Sequence, residues 1–244
     1  MTQANAPLVR ALCANFPLTA ADIQIVDRLD LRERTYQPGA DFIHQGQTYP
    51  SAMILVDGWL TSYKVLRGGG RQIIGVHVPG DILGLRSFLM QASDHNVEPI
   101  TTVKIIALNT RDMMQAFSLS PRLGLAILVA GSGDEAIAVE HLVSLGRRDA
   151  MERTVHFMLE LWTRLRLVGR AKSHSFDCPL AQFHLADALG LSTVHVNRVL
   201  REVRSRGLLT FRKGVVTFDD FDAAVKFADF DMSYLHGNYL QGNA

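Results

Sequence analysis

Residues 185–209, LADALGLSTVHVNRVLREVRSRGLL, constrain this chain more than any other stretch. Leu185 and Leu189 lie one helical turn apart, with the small Ala186 beside them. Gly190 follows, where the backbone can turn left-handed at little cost. Leu191 is placed to plug the gap, and Ser192 is a good N-cap for a second helix. Val196, Val199, Leu200 and Val203 then repeat at i, i+3, i+4, i+7, the apolar stripe of an amphipathic helix. The spacing predicts two short helices joined by a tight turn.

The opposite face of the second helix carries Val194, Asn197, Arg198 and Arg201 at the same spacing, flanked by Thr193 and His195. Arg can fork onto guanine, Asn onto adenine, and Val can touch a thymine methyl. Presenting such a face from the N-terminal end of the second helix is how a helix-turn-helix enters a major groove. A solvated basic helix in an ordinary bundle is the alternative. The small residue, turn glycine, N-cap, two apolar sets and basic outer row together favour DNA.

At 244 residues, two domains are expected. The near-zero net charge hides an asymmetry: residues 147–214 hold 13 Lys+Arg against 6 Asp+Glu, whereas 1–146 hold 11 against 13. The positive excess surrounds the helix pair, as phosphate contacts require. The two cysteines, Cys13 and Cys178, are far apart, which argues against a zinc site or disulfide framework and fits a reducing compartment. The N-terminus lacks the regions of a signal peptide, and the apolar run at 123–130 is too short to span a bilayer. A soluble cytoplasmic protein with no membrane contact is expected.

In chain order, residues 1–30 read as a helical lead-in, with Thr19 capping a helix that contains Ile23, Ile25, Val26 and Leu29. From about 31 to 110, short apolar stretches alternate with Gly and Pro punctuation, the pattern of an all-β sandwich or barrel. A jelly roll is expected, with 66–71 as an exposed hairpin tip.

Residues 42–84, FIHQGQTYPSAMILVDGWLTSYKVLRGGGRQIIGVHVPGDILG, contain a Gln45-Gly46 turn, a Gly58 turn and a PGD-I-x-G run at 79–84. In order and spacing this resembles the β-roll of the Crp/Fnr family of regulators. With the helix-turn-helix downstream, the resemblance covers most of the chain. It implies an α+β fold: an N-terminal jelly-roll β-barrel, a long dimerisation helix and a C-terminal winged helix-turn-helix.

The expected divisions are 1–120 for the β-roll, 121–146 for the dimerisation helix, 147–232 for the winged helix-turn-helix and 233–244 for a tail. Pro121 suits a first helical turn. Leu123, Ile127, Ala130, Asp134, Ile137 and His141 step by four and three, the seam of a two-stranded coiled coil. Gly131-Ser132-Gly133 interrupts this helix and suggests a soft point. Asp149 is placed to cap the next helix, after a hinge at 146–149. Ala181 stands where many relatives have Ser or Thr, so a side-chain cap is missing and Gln182 is left for phosphate. Residues 208–218 read as a β-hairpin with Lys213-Gly214 at its tip, a wing that puts Arg212 and Lys213 near the DNA backbone together with Gln182 and Ser192.

Cyclic-nucleotide binders of the family use Gly-Glu after the PGD segment and Arg-Ser about ten residues later. Here the first position reads Gly84-Leu85, and the second region reads Ser93-Asp94-His95-Asn96, without an Arg. Arg86 is displaced, and Ala138 and Val139 stand where the family meets adenine with hydroxyls. A buried phosphate without its Arg is unfavourable, so no cyclic nucleotide is expected. Two cysteines cannot supply a four-cysteine iron–sulfur site. His44, His77, His95 and His141 are candidate haem ligands, but a lone His in a strand or helix is more often structural. Cys178 reads as a buried, inert thiol rather than a redox sensor.

Two function classes remain. One is a homodimeric regulator that binds an inverted repeat in double-stranded DNA, contacts RNA polymerase and answers to an unidentified effector or none. The other is a cupin-like metal enzyme with a DNA-binding accessory. His77 lacks the second His of a cupin motif, which disfavours the enzyme. No cofactor, metal site or catalytic residue is assigned.

Overall fold

The computed structural model describes residues 9, 12–13, 16–29, 31–48, 51–90 and 92–235. The expected tail therefore lies largely outside the described residues. The described residues divide into two compact units, one within 1–62 and 77–135, the other within 63–76 and 136–235.

The first unit is built on a sheet of strands β1 (Glu33–Tyr36), β2 (Ser51–Asp57), β5 (Ile82–Leu83) and β7 (Val103–Asn109), in the order β1-β7-β2-β5. All three pairings are antiparallel. A second sheet has the order β4-β3-β6, from β3 (Leu60–Val65), β4 (Arg71–His77) and β6 (Asn96–Pro99). Strand β2 is apolar without alternation because both its faces are covered. Ala52 and Ile54 join Ile106, Leu108 and helical residues in one core, while Met53 and Leu55 join Leu60, Val97 and Ile105 in another.

Gly58 follows β2 at φ +85°, and an added Cβ would lie 2.3 Å from the Thr102 carbonyl oxygen. Only glycine fits that approach. Helix α1 (Ala20–Arg28) is capped by Thr19 in a reciprocal box with Asp22. Asp22 is buried, yet hydrogen bonds from Ser120 and Thr19 outweigh the burial and hold its carboxyl below the usual range. Short α2 (Leu85–Met90) exposes Leu89 and Met90. Helix α3 (Thr110–Leu119) leads through Ser120 into α4.

Helix α4 (Pro121–Arg147) runs unbroken for 27 residues. The expected interruption at Gly131-Ser132-Gly133 does not occur. Instead a Cβ at Gly131 would sit 3.0 Å from Leu85 and one at Gly124 2.6 Å from the Phe117 ring, so both glycines permit close packing. The expected seam needs correction as well. Leu123, Ile127 and Ala130 are buried in the first unit's own core, and Asp134 and Ile137 are half-buried. A different row is open: Leu125, Leu128, Ser132, Glu135, Val139 and Leu142 are all exposed, at steps of three and four.

In the second unit, α5 (Ala150–Leu167) starts at Asp149, whose carboxylate accepts from the Met151 and Glu152 amides. Residues 154–165 of this helix are all buried, so it forms the unit's core rather than a surface. Helices α6 (Gln182–Leu189), α7 (Thr193–Ser205) and α8 (Phe221–Phe227) pack with a three-stranded sheet of β8 (Ser175–Asp177), β9 (Leu209–Arg212) and β10 (Val215–Phe218), in the order β8-β10-β9.

Candidate nucleic-acid interface

Two local devices set the angle between α6 and α7. Gly190 caps α6 at φ +63°, ψ +38°, and its amide bonds back to the Ala186 carbonyl. Ser192 caps α7, its hydroxyl accepting from the His195 amide at 3.2 Å. Leu185, Ala186 and Leu189 of α6 and Val196, Val199 and Val203 of α7 are all buried, while Leu200 is half-buried.

Turning that stripe inward leaves Thr193, Val194, Asn197, Arg198 and Arg201 exposed, with His195 half-buried. Val194 is 78% exposed, an apolar side chain left open among the described residues. Asn197 is not idle: its amide donates to Gln182 Oε1 at 2.8 Å and to the Thr193 carbonyl at 3.1 Å. Gln182 and Asn197, assigned separately to backbone and base, thus form one polar bridge across the two helices. No local pattern in the sequence signals it.

The turn between β9 and β10 has Lys213 at φ +50° and Gly214 at φ +74°. Positive φ at both central residues is the type I′ geometry that suits a two-residue hairpin. Arg212 and Lys213 are exposed at this tip. Ala181 is the N-cap of α6 and supplies no side-chain bond. The bond that a Ser or Thr at 181 would accept is not made, while the Ala181 amide donates to His184 Nδ1 at 3.0 Å, the reciprocal half of a capping box.

Such a bond needs a neutral His184, and burial plus the Arg71 charge lower its pKa to about 4. His156, buried in α5, is likewise lowered to about 4, by burial and then the Arg148 charge. An unfolded histidine titrates near ~6.5. Between these values the unfolded chain binds more protons, so stability falls as pH drops through that window. His141 works the other way. Glu160 raises its pKa against the effect of burial, so its contribution is full below ~6.5 and is lost as pH rises through the raised value. It therefore offsets part of the loss as pH falls from 7 to about 6.5 and none of it below that. Denaturant unfolding should show a decrease on the order of 2 kcal/mol between pH 7 and pH 5. A flat profile would contradict the assignment of both histidines as buried and neutral.

The other sequence candidates have protein partners. His77 Nε2 lies 2.7 Å from Ser62 Oγ, His95 Nδ1 2.8 Å from Asp94 and His141 Nε2 2.9 Å from Glu160. His44 Nδ1 sits 3.7 Å from Asp41. No group of three or more His, Cys, Asp or Glu able to hold a metal occurs among the described residues. Cys178 is buried and its thiol is pushed up to about 12 by burial, the opposite of a reactive thiolate. Two residues at the positions compared with the family's phosphate cassette have partners of their own. Leu85 packs against the core, and Arg86, the nearby cation, is bound to Asp94 at 3.0 Å. No helix among the described residues is long and apolar enough to cross a membrane.

Residues 33–119 match the cyclic nucleotide-binding domain model, and residues 152–223 match the Crp-like helix-turn-helix domain model. The chain is 28% identical over 180 residues to the nitrogen fixation regulation protein FixK of Rhizobium meliloti (strain 1021), covering 73% of this chain and 78% of that relative. It is 21% identical over 220 residues to the fumarate and nitrate reduction regulatory protein of Escherichia coli (strain K12), covering 90% and 88%. The solved structure of FixK2 from Bradyrhizobium japonicum superposes with a TM-score of 0.73 at 25% identity, covering 82% of this chain and 98% of that one.

A β-roll on the cyclic-nucleotide-binding plan followed by a winged helix-turn-helix defines a DNA-binding transcription regulator. The chain belongs to the Crp/Fnr family of such regulators. None of these relatives supports a cupin-like enzyme.

Proposed function

We propose that the chain works as a homodimer on an inverted-repeat site in double-stranded DNA, with α7 in the major groove and the β9–β10 turn against the backbone. The carrying observation is the outward row of α7: Thr193, Val194, Arg198 and Arg201 are exposed on a helix whose other face is buried. Thr193, Val194, His195, Asn197, Arg198 and Arg201 are the proposed base-reading set. Gln182, Ser192, Arg212 and Lys213 are the proposed phosphate contacts.

Pairing uses the open row of α4, Leu125 to Leu142, in place of Leu123, Ile127 and Ala130, which the β-roll covers. Two recognition helices related by a two-fold axis would meet half-sites about 34 Å apart. The proposed effector, if there is one, is not a cyclic nucleotide, a reading supported by Leu85 packing in the core and Arg86 pairing with Asp94. RNA polymerase is the proposed second partner, and the cytoplasm the proposed compartment.

Selection of preferred duplexes from random DNA tests this reading, and an inverted repeat is the expected result. Arg198→Ala should then cost about 1–3 kcal/mol and relax selection at one base pair per half-site. Unchanged selectivity would remove Arg198 from the base-reading set.

A further inference from the structure

The hairpin Tyr63–Val76 belongs by sequence to the β-roll but packs with residues 136–235. Its two strands leave the first unit side by side at Ser62 and His77, whose side chains meet at 2.7 Å. Strand β4 is then fastened to the DNA-binding unit at both ends. At the far end, the Arg71 guanidinium lies 3.9 Å from the centre of the Tyr63 ring. Its Nε is 3.4 Å from Asp187 Oδ2 on α6. Next to it, Gln72 Nε2 donates to the Ala188 carbonyl at 3.4 Å. At the near end, the Val76 carbonyl accepts from Arg164 Nη2 at 2.9 Å, and Arg164 Nη1 donates to Glu160 at 3.1 Å.

Asp187 and Ala188 fall in the last turn of α6, just before Gly190. A helix C-terminus carries partial negative charge and orphan carbonyls. An aspartate is unfavourable there and a cation favourable. Arg71 supplies the cation and offsets the Asp187 charge, while Gln72 satisfies one carbonyl. The end of α6 that sets the turn into α7 is therefore held by a strand that is not part of the helix-turn-helix.

We propose that Arg71 is a positioning residue for DNA recognition, fixing α6 through Asp187 and thereby the pitch at which α7 meets the groove. This rests on the reading that α7 binds DNA. With the clasp closed, Val194 is 78% exposed, so the clasp does not occlude that residue of the reading face.

The test uses the full chain with its selected duplex and with a random duplex. The variants are Arg71→Glu, Asp187→Arg and the double exchange, which preserves total charge. Each single reversal should weaken specific binding about five- to tenfold relative to random-duplex binding, and the exchange should recover most of that ratio. A purely structural role would lower the unfolding temperature and leave the ratio of folded protein unchanged. Gln72→Ala, a milder change at the same helix end, gives the same readout if a reversal fails to fold, with an expected loss of about two- to threefold. If wild type prefers its selected site and the ratios of the folded variants equal wild type, the Arg71 assignment is overturned and the DNA reading stands. If wild type shows no sequence preference, both fall.

Discussion

Glu160→Ala should destabilise the second unit by about 3–5 kcal/mol, because removing one member of a buried ion pair leaves the others uncompensated. Glu160 is fully buried in α5. It accepts from His141 of α4 at 2.9 Å, Arg164 of α5 at 3.1 Å and Tyr234 at 3.2 Å. Burial alone would raise its pKa. The His141 charge and hydrogen bond, with the Arg164 charge, hold it instead at about 2. Without the carboxylate, Arg164 keeps its charge in a site with little water, and His141 loses the partner that raised its pKa. For a chain of this size the loss corresponds to about 6–20 °C in the unfolding temperature. Circular dichroism of Glu160→Ala checks it. A change below about 1 kcal/mol would mean that water reaches the group, since exposed pairs contribute no more than that. Glu160→Gln keeps the shape but places an amide where His141 and Arg164 both donate, so it should recover only part of the loss.

The carboxylate cluster marks where sequence reasoning stopped. The helix-turn-helix was legible because its determinants are local: Gly190 must be left-handed, Ser192 must cap, and each apolar set lies on one short helix. The strands were legible for the same reason, with Gly58 closing a turn that admits no side chain. The cap at Asp149 and the wing tip at Lys213-Gly214 followed from residue chemistry within a few positions. Glu160 and Arg164 gave no signal of burial, because nothing nearby in sequence shows that α4, β4 and Tyr234 contribute their partners. Arg71 was likewise hidden, its partner lying 116 positions away.

Misreading the α4 seam has a more specific cause. The helix carries two apolar rows, each stepping by three and four: Leu123, Ile127, Ala130 on one side and Leu125, Leu128, Val139, Leu142 on another. Periodicity identifies rows but not their partners. The first row found its partner inside the chain, in the sheet-and-helix core of the first unit. An unpartnered row of leucines and valine is what remains, and this makes the dimer proposal testable by substitutions that should not disturb folding.

Leu128 and Leu142 are 64% and 71% exposed, so neither contributes much to the core of its own chain. Leu128→Arg with Leu142→Arg should therefore leave the monomer folded, with an unfolding temperature close to wild type, while placing four cations in the two-chain seam. Sedimentation velocity should show a monomer where wild type sediments as a dimer. Affinity for a full inverted repeat should fall by about 100- to 10,000-fold, because two linked half-site contacts become two independent ones. Affinity for an isolated half-site should hold or rise slightly, since the added charge is positive and DNA attracts it. That opposite sign separates lost pairing from damaged recognition. Leu123→Ala provides the contrast: it should lower stability by about 2–5 kcal/mol through a core cavity and leave the folded protein dimeric. A dimer that survives both arginines, or one that Leu123→Ala alone dissolves while the fold persists, would move the interface off this row.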